Sequence, residues 1–160
     1  MTRRPDPAGG APFPARAGRA AEAALWLLLA WLALRLLPFR HAARLLRPKV
    51  RLRPAEDEAV FQVARAVRAA ARRVPWPAVC FPQGIAAQRM LCRRGIAADL
   101  HYGVAKTEDG RLEAHVWVTA GEVTVTGGET AARFTPITTF PPTLPPVAAP
   151  VSRSRPRSGG

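Results

Sequence analysis

Two side chains able to do nucleophilic chemistry stand at informative places in this chain. Cys80 opens the stretch CFPQGIAAQRMLCRR, which reads as a helix, and His115 lies inside the strand-like AHVWV. A thiol attacks a carbonyl only as thiolate, so it needs a base within hydrogen-bond reach and a positive local potential. Unpaired N–H groups and the helix dipole supply the potential at a helix start. A histidine on a strand packed against that helix supplies the base, and an acidic or amide group should then orient its ring. On spacing alone the signal is weak. A lone cysteine is usually a small buried hydrophobe, a lone strand histidine is usually structural, and His101 on the preceding strand is a rival base.

The elements that must position these residues are readable on either side. Ile85, Ala86, Met90 and Leu91 share one helical face, with Gln88, Arg89, Arg93 and Arg94 mostly elsewhere. Pro82 is tolerable only in the first turn, and Gly95 suits the stop. Pro75 and Pro77 bracket Trp76 and fix the approach to Cys80; Trp76 reads as a lid over the core more readily than as a substrate platform. After Gly95 the period becomes two. Leu100, Tyr102 and Val104 alternate with Asp99, His101 and Gly103, and Asp109-Gly110 marks a hairpin turn. In the next strand His115 shares a face with Glu113 and Trp117, and a third strand, EVTVT, closes at Gly127-Gly128. Upstream, a helix beginning after Pro54 has Glu56, Asp57 and Glu58 in its first turn and a stripe from Val60 to Val74. Arg65, Arg68 and Arg72 lie off that stripe and read as a solvated face.

Residues 1–20, rich in Pro, Gly, Ala and Arg, read as a disordered lead-in. Residues 21–54 form an apolar and basic helical segment, 55–136 the core, and 137–160 a Pro-rich disordered tail. The Ala21–Leu37 helix has an uninterrupted apolar run from Ala23 to Leu34, short of the about 20 residues a bilayer crossing needs. Three readings of it stand: a helix buried on the domain, a helix lying on a membrane surface, or a contact for a partner protein. His41 reads as a surface residue of a further short helix. The net charge of +13 is concentrated at the ends, since residues 55–140 carry 10 basic and 9 acidic groups. That distribution argues against nucleic-acid binding. Cys80 and Cys92 are too far apart along one helix to bridge, which points to reduced thiols and a cytoplasmic location. No ligand cluster suggests a metal, and no cofactor is implied.

The order cysteine, helix, glycine, strand, hairpin, histidine resembles that of the transglutaminase-like cysteine proteases. Within them the chain is similar to the leader peptidases of lasso-peptide biosynthesis, specifically the stand-alone protease half of the split maturation protein. The matching text is VPWPAVCFPQGIAAQRMLCRRGIAADLHYGV, then EAHVWV and a short strand ending in Gly-Gly. The apolar helix followed by LPFRHAARLL matches too, so residues from about 21 to 136 are covered. The resemblance implies an α+β transglutaminase/papain-like core, with the nucleophile helix packed on a small antiparallel sheet and extra N-terminal helices.

It also implies Cys80 as nucleophile, His115 as base, and removal of the leader from a ribosomally made lasso-peptide precursor in bacteria. The family's third catalytic member is an Asp near the end of the strand after the histidine, and TVTGGETAARF contains none. Glu129 is the nearest carboxylate and Glu122 begins the strand. The orienting group is then Glu129, a backbone carbonyl, or absent in a dyad. Residues 1–54 are too short, apolar and Pro-rich for the recognition domain of fused versions. A separate leader-recognition protein is therefore expected, with an ATP-using lasso cyclase as a further partner and a membrane-surface contact through residues 21–54 among the alternatives. An acyl transferase on the same core, joining glutamine to an amine, and a non-catalytic interaction protein are the competing functions.

Overall fold

The computed structural model describes residues 13–38 and 57–140. The helix expected around His41 and the tail beyond Phe140 lie outside these residues. Helices α1 (Phe13–Leu36), α2 (Asp57–Ala71) and α3 (Cys80–Arg93) precede strands β1 (Asp99–Lys106), β2 (Leu112–Ala120) and β3 (Val123–Thr126). A one-turn helix α4 (Gly128–Ala131) and strand β4 (Thr135–Phe140) follow. The fold is α+β. Its antiparallel sheet has the order β3-β2-β1-β4.

α3 is the centre of the molecule. Pro82, Gly84, Ile85, Ala86, Ala87, Gln88, Met90, Leu91 and Cys92 are all buried, so the helix is covered nearly all round rather than on one stripe. At Gly84 it lies so close to the sheet that a side chain would collide with Val116 and crowd Leu100. The helix bearing the thiol is thereby pressed against the strand bearing the imidazole. Its C-terminal end closes with Ile96 N–H donating to Leu91 O at 3.0 Å and Gly95 N–H to Cys92 O at 2.9 Å. This is the paired-bond stop that Gly95 favours.

α1 begins at Phe13 rather than Ala21, because Pro14 fits a first turn and the alanines after it are strong helix formers. Its Ala23, Leu27 and Ala30 are buried, and it packs on α2 and α3. Among the described side chains of the helix, Leu27 is the one large residue that is fully buried, worth about 1.5–3 kcal/mol. Glu22 adds polar anchorage, pairing with Arg94 at 2.6 Å and Arg93 at 3.3 Å. Trp76 stands against Trp31 of this helix, with ring centroids 6.4 Å apart. The extended start also makes Ala15–Leu36 long and apolar enough, by length and composition, to cross a membrane.

β4 corrects the expectation of a disordered tail from residue 137. Pro136 cannot donate to a ladder, but β4 is an edge strand, where proline is tolerated, and the register shifts between Tyr102 and Gly103 opposite it. Beyond its ladder with β1, β4 is fastened at its last residue by Gln88, which is 1% exposed. Its Nε2 donates to Phe140 O at 2.8 Å and to Ala98 O at 2.9 Å, so one carboxamide ties β4 and the lead-in to β1 onto α3.

Candidate active site

Cys80 is the first residue of α3, preceded by Val79, which offers no capping side chain. Its thiol is free and half-buried. Uncapped N–H groups at a helix start carry a partial positive charge that favours a thiolate or an oxyanion beside them. His115 comes from the middle of β2, opposite Gly103 of β1. On its other side β2 pairs with β3 only from Val118 to Ala120, so the ladder stops before His115. The chain instead turns at Gly127 and runs through α4, which lies against β2.

That turn holds the imidazole. Nε2 of His115 lies 2.8 Å from Gly127 O and 3.2 Å from Thr130 Oγ1. A carbonyl oxygen only accepts, so Nε2 carries the proton and donates it. Among the described residues every hydrogen bond of this ring falls on Nε2, which leaves the Nδ1 lone pair available to accept a proton. Phe134, itself buried, closes one side of the ring with centroids 4.9 Å apart, and Trp117 stacks at 6.3 Å. Gly127 has φ +73°, and a side chain there would collide with Val116 O and press on Nε2. Only glycine lets this carbonyl reach the histidine.

Cys80 and His115 line one cleft of about 170 Å³, with Arg68, Gln83, Val116, Thr126, Gly127 and Glu129 completing its wall. Thiol, imidazole and the uncapped helix start thus share one solvent-connected space, the arrangement a cysteine nucleophile requires. Glu129 is at the rim. Its carboxylate pairs with Arg68 at 3.2 Å, both side chains being more than half exposed, and the imidazole proton goes to the Gly127 carbonyl instead. Glu122 precedes β3 and is exposed.

His101, the rival base, lies on the same face of the sheet, stacked on Trp117 at 5.3 Å. Both of its nitrogens are engaged, Nδ1 with Thr139 Oγ1 at 3.1 Å and Nε2 with Thr119 Oγ1 at 2.9 Å. Burial also holds its pKa below the ordinary histidine value. It has no nitrogen to offer and lies off the cleft wall. Among the described residues no group of three or more His, Cys, Asp or Glu is placed to hold a metal.

The sequence model of the transglutaminase-like superfamily matches residues 23–139. The chain belongs to that superfamily. No curated protein and no solved structure matches it. The transglutaminase-like domain is an enzyme fold of the cysteine-protease and acyltransferase type, and the match spans α1 to β4. Two wall residues of this transglutaminase-like site, Gln83 and Thr126, were not singled out from sequence, nor was Thr130 beside His115, and the backbone carbonyl given there as one candidate orienting group is that of Gly127. Arg68, read there as part of a solvated face, is on the wall as well. The one sequence signal for them was the Gly127-Gly128 pair directly after a strand, a place where backbone rather than side chain does the contacting.

Proposed function

We propose that this transglutaminase-like domain is a cysteine peptidase that removes the leader from a ribosomally synthesised lasso-peptide precursor. The observation that carries the chemistry is the cleft that Cys80 and His115 share, with the hydrogen bonds of His115 falling on Nε2 and its Nδ1 lone pair left over to serve as base. What supports the narrower substrate is the text around the two residues, VPWPAVCFPQGIAAQRMLCRRG and EAHVWV.

In this reading Cys80 Sγ passes its proton to His115 Nδ1 and attacks the carbonyl at the leader–core junction. The tetrahedral intermediate collapses, the C–N bond breaks, and the imidazolium gives its proton to the departing amine of the core. Water, deprotonated by the same imidazole, then hydrolyses the thioester and frees the leader carboxylate. The core keeps a free N-terminus for ring closure by a separate cyclase. A separate recognition protein presents the leader.

The test is incubation of wild type, Cys80→Ala and His115→Ala with precursor and recognition protein, read by mass spectrometry. Wild type alone should yield free leader and core. A glutamine–amine crosslink in place of cleavage would replace peptidase with acyl transferase, and cleavage surviving in Cys80→Ala would end the enzymatic reading.

A further inference from the structure

Acyl transfer by Cys80 leaves one requirement unmet by thiol and imidazole: the carbonyl oxygen becomes an anion and needs hydrogen-bond donors. The N–H of Cys80, at the uncapped start of α3, is one donor within the helix geometry. A second is required to fix the oxygen in two directions. Gln83 is three residues on, so it shares a helical face with Cys80. Helical side chains lean toward the N-terminus, which brings its carboxamide back over the first turn. The contacts bear this out: Gln83 Nε2 donates to Ala78 O at 2.6 Å, two residues before the nucleophile, and Gln83 is on the cleft wall with Cys80 and His115.

A primary amide has two N–H donors, and the Ala78 carbonyl takes one. That bond fixes the plane of the carboxamide and leaves its second N–H directed elsewhere. The same cleft wall includes Thr126, 7% exposed, whose hydroxyl has no hydrogen-bond partner. That Oγ1 is enclosed by its neighbours, which leaves half-buried Gln83 as the carboxamide this wall can present to a substrate oxygen.

We propose that the Gln83 carboxamide is the second oxyanion donor of the site, held in place by the Ala78 carbonyl and acting with the Cys80 backbone N–H on the oxygen of the attacked carbonyl. The assignment rests on the acyl-transfer reading of the Cys80–His115 cleft and holds for any acyl donor, leader peptide included.

The test compares two probes of the same sulfur on the full chain. Iodoacetamide alkylates a thiolate by displacement at a saturated carbon, with no oxyanion. A p-nitrophenyl ester acylates it through a tetrahedral oxyanion. Gln83→Met, close in length, should lower the acylation rate by about 10²–10³-fold and leave the alkylation rate within about threefold of wild type. Gln83→Ala, the second variant should the methionine misfold, carries the same expectation. Equal loss on both probes would reduce Gln83 to a prop for the helix start and overturn the assignment, as would no loss on either. Wild type that alkylates but never acylates would overturn the acyl-transfer reading itself, and the assignment with it.

Discussion

The two ends of α3 are finished differently, and each end carries a cysteine. At the C-terminal end two backbone bonds close the helix, Arg94 is paired with Glu22, and Cys92 is 1% exposed. Burial pushes the Cys92 thiol up to about 11, despite Arg89 nearby. At the N-terminal end no side chain caps the helix, and Cys80 is half-exposed on the wall of a cleft. The same residue type is thus made inert by packing at one end and accessible by its absence at the other. The histidines repeat the contrast on the sheet. His101 and His115 flank Trp117, but the first has both nitrogens occupied and the second has its bonds on one.

The largest expected effect breaks the active end of each pair. Cys80→Ala and His115→Ala should each lower turnover by about 10⁴-fold or more, since members of a nucleophile–base unit fail together. Circular dichroism should show both variants folded. The matching sharpening experiment uses the thiols directly. Iodoacetamide at pH 7.5 should modify Cys80 alone, with Cys92 reacting only after denaturation, because the thiolate is the reactive form. Comparable labelling of both cysteines in the folded protein would erase the distinction between the helix ends.

Next in size is the closed end itself. Gln88→Leu keeps the volume but leaves the Ala98 and Phe140 carbonyls without their donor. The cost should be about 2–3 kcal/mol in a urea melt. Amide exchange should rise first in β4, and uniform loss of protection would mean that Gln88 does not hold that strand in particular.

How much of this was legible in the sequence follows from the range of the interactions involved. The nucleophile helix and the hairpin were readable because their signals are local: a 3.6-residue period, Gly95, then a two-residue period and Asp109-Gly110. β4 was not. All but the last of its residues are exposed, so it has no alternation to read, and its attachments are long-range, the ladder with β1 and the bond from Gln88. The first eight residues of α1 were hidden by a composition shared with disordered leaders. The histidine's orienting group was legible only as one of three alternatives, without its residue. It is a carbonyl, which every residue possesses, and only the glycine that lets it approach leaves a trace in the sequence.

A smaller effect separates the histidines by pH. The folded His101 holds a proton less readily than the unfolded chain, because burial beside Trp117 disfavours its charge. Unfolding therefore takes up a proton. Stability from this residue is complete above the unfolded value of about 6.5 and declines as the pH falls below it. The urea midpoint should drop between pH 7.5 and 5.5, and His101→Gln should flatten that drop. A wild-type midpoint that rises on acidification would contradict the sign.

The smallest expected effect is the most discriminating for His115. If a side-chain carboxylate oriented His115, Glu129 would be the candidate, and Glu129→Gln would disturb the imidazole. The proton on Nε2 goes to the Gly127 carbonyl, and Glu129 makes an exposed pair with Arg68 worth about 0–1 kcal/mol. Glu129→Gln should therefore change kcat by no more than about twofold and leave the acid limb of its pH profile in place. Thr130→Val removes the hydroxyl 3.2 Å from Nε2 and should cost more than Glu129→Gln, though far less than the loss of His115 itself. A hundredfold loss in Glu129→Gln, with a displaced acid limb, would mean that the carboxylate leaves Arg68 and takes over the imidazole during turnover. The two histidines would then differ by a mobile acid rather than by a fixed backbone acceptor.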